Sequence, residues 1–363
     1  MFRSIRSSVV HFKFKLSSKS FTNSCKVMSV DPVTSILNST QYVMDKMQSM
    51  DAPSVNINID AIDSFCEILK KTDLADMRTS VEWDACGWHY QDDTPLTAQY
   101  IFVMDSLNFC FWPVQGLEYE HLAMNLRDVL LANPNAFNAN NLKSMNSTTL
   151  QGWFPAHSLP QLDERVLRLQ ELGTVLERDY NGLASNMSKS VGGSGVELVR
   201  LVIEKLPGFR DTVVYDGKLI HFYKRAQILV SDLWAAYGRK IAVGDIGVGV
   251  ARGDEHYAAF GDMNRLTMFA DYRVPQILRH VGVLEYSEPL STSIDNKIPI
   301  EFGSNWETEV RAATVQAVQM IQSCLHTKGV DVLVIEVDWL LWNQGENSLD
   351  IMKPHHRTLT IYY

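Results

Sequence analysis

Apolar residues recur at helical spacing along much of this chain of 363 residues. In the window 161–180, the apolar stripe consists of Leu162, Val166, Leu169, Gly173 and Leu176. The same three- and four-residue spacing predicts helices over 60–71, 196–206, 226–237 and 307–325. Asp60 is placed to cap the first of these. The pattern therefore predicts a mainly helical fold.

Signals for β-structure are fewer. The stretch 213–220 places Asp216-Gly217 between two short apolar runs, which predicts a β-hairpin. The continuous apolar run from Tyr100 to Met104 predicts a short buried strand. Residues 332–335 fit either a strand or the start of a buried helix, because periodicity does not separate the two. We expect a fold that is mainly α with a few short strands.

Charge divides the chain into a leader and a body. Residues 1–30 hold six basic side chains, eight Ser and no acid, whereas the other 333 residues have a net charge of −15. An Arg- and Ser-rich, acid-free leader is typical of mitochondrial transit peptides, and a disordered extension or sequence upstream of a start at Met28 fits equally well. We expect a cytoplasmic protein, or a mitochondrial one if the leader directs it there.

The body is expected to form a single compact unit with two parts. Residues 31–160 would form an N-terminal lobe that contributes one wall of a pocket, and 161–363 a helical catalytic lobe. Two Gly-rich segments, 192–195 and 238–262, are predicted to be flexible surface connections. Neither shows the spacing of a nucleotide-binding loop.

Cysteine and histidine content indicates neither a disulfide framework nor a metal site. The five Cys are widely spaced and odd in number, as in a protein from a reducing compartment. Cys86 and His89 form half of a zinc-binding pattern without a second half, and His355 and His356 are too few to hold a metal alone. We therefore expect no metal and no other cofactor.

Four segments combine carboxylates and aromatic rings within apolar stretches. Their notable residues are Trp83, Trp88, His89, Tyr90, Asp105, Asn108, Phe222, Tyr223, Lys224, Asp232, Asp271, Tyr272, Arg273, Asp338, Trp339 and Trp342. An unpaired buried carboxylate is strongly unfavourable, so each Asp must pair internally or act on a ligand. Pairing with Lys224, Arg225 or Arg273 would explain any one of them. Four together favour a ligand site.

Such a site suits a planar, polar heterocycle attached to a sugar. Aromatic rings supply stacking area, and carboxylates accept hydrogen bonds from ring N–H groups or an amine. A carboxylate beside the C1 atom of a sugar can stabilise an oxocarbenium-like transition state or attack it, and Lys or Arg can bind a phosphate. A Ser nucleophile is not predicted, because 192–196 lacks the last Gly of G-x-S-x-G.

Five segments closely resemble the queuosine salvage protein family, the queuosine 5′-phosphate N-glycosylases. They are FVMDSLNFCFW (102–112), FYKRAQILVSDLW (222–234), MFADYRVPQILRHVG (268–282), DWLLW (338–342) and HHRTLTIYY (355–363). The resemblance spans residues 50–363. It implies hydrolysis of the N-glycosidic bond of queuosine 5′-monophosphate, with release of queuine for re-use in tRNA. It also implies a helical core similar to that of DNA glycosylases, without metal or redox cofactor.

The resemblance also implies roles for individual residues. Asp271 matches the catalytic aspartate, and Lys224 matches a site lysine that binds the ribose-phosphate or pairs with Asp271. Eight further residues are expected to bind substrate: His89, Asp105, Asn108, Phe222, Tyr223, Asp232, Tyr272 and Asp338. The aromatic ones would stack on the base, and the polar ones would hydrogen-bond to the base or its cyclopentenediol.

The chain departs from the family pattern at three places. The segment 238–262 is longer than the usual connection and would form a surface loop or a lid. Residues 114–160 match poorly, so the pocket wall that they supply is not predicted. Asn343 stands where an acid often follows the Trp.

Two other classes of function stay open. A nucleic-acid-directed glycosylase or tRNA-binding factor is disfavoured by the body charge of −15, because binding along a polynucleotide needs a basic groove. A non-catalytic queuine-binding protein is disfavoured by the presence of Asp271 and Lys224. The expected partner is queuosine 5′-monophosphate or queuine, with no direct nucleic-acid or membrane contact. Oligomeric state is not indicated.

Overall fold

Helices account for most of the chain that the computed structural model describes, namely residues 31–71, 83, 87–92, 94–238 and 258–363. The leader 1–30, Cys86 and residues 239–257 of the Gly-rich segment 238–262 lie outside the described residues. Asp31–Tyr363 forms one compact unit.

The described helices begin and end as follows. They are α1 (Pro32–Gln48), α2 (Ile59–Lys71), α3 (Pro95–Leu107), α4 (Tyr119–Ala132), α5 (Ala139–Lys143), α6 (Ser147–Gly152), α7 (Leu162–Tyr180), α8 (Ala184–Lys189), α9 (Gly195–Lys205), α10 (Lys224–Leu233), α11 (Arg273–His280), α12 (Glu288–Asp295), α13 (Asn305–Thr327) and α14 (Val334–Glu346). A π-helical turn, Trp234–Gly238, extends α10, and short 3₁₀ turns lie at Pro207–Phe209 and Met263–Arg265.

Four short strands form two antiparallel pairs: β1 (Val55–Ile57) with β4 (Leu284–Tyr286), and β2 (Thr212–Tyr215) with β3 (Lys218–His221). The second pair is the hairpin that the Asp-Gly signal predicts. Asp216 and Gly217 both have positive φ, 47° and 73°, as a tight hairpin turn requires. The prediction of a mainly α fold with a few short strands is therefore confirmed. Similarity to DNA glycosylases stays a prediction.

The five helical windows all correspond to helices, but one strand prediction is wrong. Tyr100–Met104 lies inside α3, which Thr94 caps by accepting a hydrogen bond from the Leu96 amide at 3.2 Å. Every residue of α3 from Thr97 to Leu107 is buried. A helix buried on all sides has no polar face, so its sequence lacks the helical period. The ambiguous run 332–335 leads into α14, which begins at Val334.

Two helices organise the packing. α13, the longest described helix, packs against α1, α2, α11 and α14. α3 packs against α4, α7, α8 and α10. Gly173 on α7 allows close contact with α5, because a Cβ there would lie 2.4 Å from the Lys143 amide nitrogen. None of the helices described is long and apolar enough to cross a membrane.

Candidate active site

A cavity lies where the N-terminal ends of α4 and α11 meet one side of α10 and one side of α14. Its polar wall consists of His89, Asn108, Glu118, Lys224, Asp232, Asp271, Asp338, Asn343 and Glu346. Its aromatic wall consists of Trp83, Trp88, Phe111, Tyr119, Phe269, Tyr272, Trp339, Trp342 and Tyr363. Helix N-termini carry partial positive charge and aromatic rings supply stacking surface, so this cavity suits an anionic group beside a flat ring.

Asp271 is held at the start of α11. Its Oδ1 atom accepts hydrogen bonds from the backbone amides of Arg273 (3.0 Å) and Val274 (2.9 Å). Burial raises the pKa of Asp271, while Lys224 and these two amides act in the opposite direction. Since both hydrogen bonds go to Oδ1, Oδ2 is the oxygen that can meet a ligand in the cavity.

Lys224 is the first residue of α10, and only 6% of its surface is exposed. Burial lowers its pKa, whereas the nearby carboxylates of Asp271, Asp105 and Asp338 raise it. It is the only Lys or Arg among the described residues of the cavity wall. The cation is thus surrounded by carboxylates that compete with any ligand for its charge.

Two of the cavity carboxyls have strongly raised pKa values. Burial raises the pKa of Asp232 and of Asp338 well above the ordinary value. Asp338 Oδ1 accepts a hydrogen bond from the Phe269 amide at 2.9 Å, which partly offsets the effect of burial. Protonated carboxyls can donate a hydrogen bond or a proton to a ligand.

Three predicted substrate-binding residues do not lie on the cavity wall. Asp105 is completely buried behind Asn108, whose Nδ2 lies 3.4 Å from its Oδ1. Phe222 faces the guanidinium group of Arg311 at 3.9 Å. Tyr223 turns its hydroxyl to His221 Nδ1 at 2.7 Å. All three lie within three residues of a wall residue in sequence, but none of them lines the cavity, so direct contact of these three with substrate stays a prediction.

The structure brings the other seven predicted residues together: His89, Asn108, Lys224, Asp232, Asp271, Tyr272 and Asp338. It also adds residues to which sequence analysis gave no role, including Glu118, Tyr119, Glu346 and Tyr363. Glu346 could have been found from helical spacing, since it lies two turns after Asp338 on the same face of α14. Glu118 and Tyr119 fall within 114–160, where no motif was recognised.

The ring of His89 packs against residues of the aromatic wall. Its ring stacks on Trp83 with centroids 4.1 Å apart, and its Nε2 lies 3.0 Å from the Tyr119 hydroxyl. Tyr119 in turn meets Trp342 edge to face, with centroids 6.0 Å apart. Burial lowers the pKa of His89 to about 4. The imidazole is therefore neutral at pH 7 and offers a flat surface rather than a positive charge.

Arg273 ties together two acidic residues of the wall. Its Nε donates to Glu346 Oε1 at 2.7 Å, and its Nη2 lies 3.9 Å from Glu118 Oε2. Burial raises the pKa of both Glu residues, and Arg273 counteracts this. The two ion pairs of Arg273 link the start of α4 to the end of α14. Tyr119 and Trp342 lie on these two helices, so the ion pairs help to set the spacing between their rings.

Asp105 makes stability depend on pH. Burial raises its pKa to about 7 from an ordinary value of 3.8, so the folded protein binds more protons than the unfolded chain between these values. The free energy of unfolding must then fall as pH rises through this window. Asp105→Asn cannot ionise at this position. We therefore expect its free energy of unfolding, relative to that of the wild type, to increase by about 2–3 kcal/mol as the pH rises from 5 to 8.

Urea denaturation of both proteins at the two pH values measures this gain. The exposed Asp45, which pairs with Gln41 on the surface, provides the control variant Asp45→Asn. A gap between Asp105→Asn and the wild type that does not change with pH would contradict a protonated Asp105.

Comparison with known proteins identifies the chain. The family model described as queuosine salvage protein matches residues 88–363. The chain belongs to this family. It is 41% identical to the queuosine 5′-phosphate N-glycosylase/hydrolase of Dictyostelium discoideum over 92% of this chain and all of the relative. It is 34% identical to the protein of that name from Sphaerobacter thermophilus, over 90% of this chain and 97% of the relative.

A third relative with the same name, from Mus musculus, is 30% identical over 73% of this chain and 81% of its own length. The matched region includes every wall residue of the cavity except Trp83. It also includes 114–160, so the part of the chain in which no motif was recognised belongs to the family as well.

Proposed function

We propose that the protein hydrolyses the N-glycosidic bond of queuosine 5′-phosphate and releases queuine for re-use in tRNA. Relatives that match nearly the whole chain are named for this activity. The observation that connects the name to this chain is the placement of Asp271, with one oxygen held by the start of α11, beside Lys224 in an aromatic cavity. An N-glycosylase needs such a carboxylate under the sugar and aromatic rings around the base.

In the proposed mechanism, the flat base lies among the rings of His89, Tyr119 and Trp342. The bond from the ribose C1′ atom to the base nitrogen breaks, and its electron pair leaves with the base. Asp271 Oδ2 stabilises the positive charge that develops on the ribose, or forms an ester with C1′; both routes need the same placement. Water then completes the hydrolysis. Fixed charges in a dry site stabilise such a transition state strongly.

The departing base needs a proton. Asp232 and Asp338 both lie on the cavity wall, and burial raises the pKa of each carboxyl well above its ordinary value, so we propose that one of them supplies it. Lys224 is proposed to bind the phosphate or to keep Asp271 ionised, and Asn108 and Tyr272 to orient the substrate. Charge-assisted contacts of this kind contribute more than neutral hydrogen bonds do.

Turnover of the monophosphate against the free nucleoside tests the function and the phosphate contact together. We expect queuine release from queuosine 5′-phosphate, followed by chromatography, with kcat/KM at least about tenfold above that for queuosine, since a hydrogen bond to a charged group contributes about 1.5–3 kcal/mol. Guanosine 5′-phosphate is the control for base recognition. No queuine release from either substrate would refute the function, and equal rates would refute the phosphate contact alone.

The partner is accordingly a small molecule, and we propose action on free nucleotide rather than on tRNA. The acidic body supports this, because tRNA binding relies on basic surface. Cytoplasmic action is proposed, with mitochondrial action as the alternative if residues 1–30 direct import. Fluorescent fusions with and without these residues would separate the two compartments.

A further inference from the structure

Asp271 and Lys224 come from segments that are distant in sequence, and one buried side chain contacts the backbone at the first of them. Arg311 on α13 is fully buried. Its Nε donates a hydrogen bond to the carbonyl oxygen of Ala270 at 3.0 Å. This peptide immediately precedes Asp271, so Arg311 holds the chain at the point from which that carboxylate projects.

Asp211 contacts the backbone of the second segment, which contains Lys224. Its carboxylate accepts both arms of Arg311, from Nη1 at 3.0 Å and from Nη2 at 2.5 Å. The Oδ2 atom also accepts from the backbone amide of Lys224 at 3.3 Å. The Asp211 carbonyl oxygen accepts from the amides of Phe222 (3.0 Å) and Tyr223 (3.3 Å).

These contacts support an uncommon backbone conformation. Tyr223, directly before Lys224, has φ of 49°, in the left-handed region that non-glycine residues seldom adopt. Such a conformation persists only where its surroundings enforce it. Because Asp211 binds three successive amides, it sets the direction in which α10 begins. This direction in turn sets the position of the Lys224 side chain.

Two aromatic rings pack on the guanidinium group. The Phe222 ring lies 3.9 Å from its central carbon, and the Tyr363 ring lies 4.3 Å away. Glu307 accepts a hydrogen bond from Arg311 Nη1 at 3.2 Å and another from the Tyr363 hydroxyl at 2.9 Å. Tyr363 lines the cavity, so the same cluster also holds part of its wall.

We propose that Arg311 and Asp211, neither of which lies on the cavity wall, are positioning residues that set the geometry of Asp271 relative to Lys224. The inference rests on the proposed function. Only the planar guanidinium group, which donates hydrogen bonds in three directions, can bind Asp211, Glu307 and the Ala270 carbonyl together. Lysine has the same charge but cannot form this arrangement.

The variant Arg311→Lys tests the role. We expect kcat for queuosine 5′-phosphate to fall about 10²-fold, as a displacement of about 1 Å in an active site can cause, while KM changes less. A second readout is specific to geometry. Because Lys224 lowers the pKa of Asp271, a greater separation raises that pKa, and the acidic limb of the kcat/KM profile moves to higher pH.

Asp211→Asn is the second variant, and it decides the question if Arg311→Lys does not fold. It keeps the size of the side chain but loses the negative charge and one of the two oxygens that accept hydrogen bonds from Arg311. Arg279→Lys is the control, since Arg279 forms a partly buried ion pair with Asp295 at 2.7 Å away from the cavity. It should lower the melting temperature without moving the pH profile.

The outcomes separate the two proposals. A wild-type protein that releases no queuine contradicts the proposed function. If the wild type is active and a folded Arg311→Lys or Asp211→Asn variant keeps its kcat and its acidic limb, the positioning role is overturned. Lower kcat together with a shifted limb, absent from Arg279→Lys, supports it.

Discussion

Asp271→Asn is expected to lower kcat for queuosine 5′-phosphate by about 10³-fold or more, with a much smaller change in KM. The amide oxygen of Asn can still accept the hydrogen bonds from the Arg273 and Val274 amides, so α11 keeps its N-terminal contacts. What is lost is the negative charge opposite the developing ribosyl cation. Queuine release measured by chromatography gives kcat, and calorimetric titration of the variant gives substrate affinity.

Asp31→Asn is a closely matched control for this variant. Asp31 accepts hydrogen bonds from the amides of Val33 (2.8 Å) and Thr34 (3.0 Å) at the start of α1, the same two- and three-residue spacing as at Asp271. It does not line the cavity. Near-normal turnover in Asp271→Asn would refute the assignment of the catalytic residue. A comparable loss in Asp31→Asn, at a residue that does not line the cavity and that also pairs with Arg265, would show that the effect does not depend on charge inside the cavity.

Lys224→Met should impair both activity and stability. Removal of one partner from a buried charged cluster costs about 3–5 kcal/mol, although carboxyls that take up protons offset part of this. We expect kcat/KM for the monophosphate to fall by at least about 10²-fold, the usual effect of losing one such electrostatic contact. Steady-state kinetics and urea denaturation at pH 5 and pH 8 measure the two effects.

The pH dependence gives this variant a distinctive signature. Lys224 lowers the pKa values of Asp271, Asp232 and Asp338, so its removal raises them further. A carboxyl with a raised folded-state pKa makes the protein less stable as pH rises. Lys224→Met should therefore lose more stability at pH 8 than at pH 5. The control is Lys143→Met, which removes an exposed ion pair with Glu177 worth about 0–1 kcal/mol. If Lys224→Met loses the same stability at both pH values, Lys224 does not lower the pKa of the cavity carboxyls.

Sequence patterns predicted five of the helices, but they missed others that also expose one face, such as α1 and α4. α7 and α13 show the stripe that a half-buried helix requires, and the hairpin β2–β3 is evident from its turn residues. α3 was assigned wrongly at Tyr100–Met104, because it is buried all round and has no polar face. At Tyr100–Met104 no residue faces solvent, so the sequence shows no alternation of polar and apolar positions that would mark a helix.

The candidate site divides in the same way. Asp271, Lys224 and Asp338 were identified from motifs, and all three lie on the cavity wall. Asp105 and Asp232 were indistinguishable in sequence, since each interrupts an apolar run. The structure places Asp232 at the cavity and Asp105 behind it. Which side of a buried helix meets a cavity depends on the neighbouring helices, and the helix's own sequence does not specify it.

The sequence by itself determined the chemistry that this protein can perform: the residue types, their order, the family and the acidic charge of the body. Only the tertiary structure decided which of those residues meet. It joined Glu118 and Glu346 through Arg273, and it joined the segments of Lys224 and Asp271 through Arg311 and Asp211. Local patterns arise from interactions within a few residues, whereas these contacts join segments separated by many residues, and their geometry follows from how the helices pack.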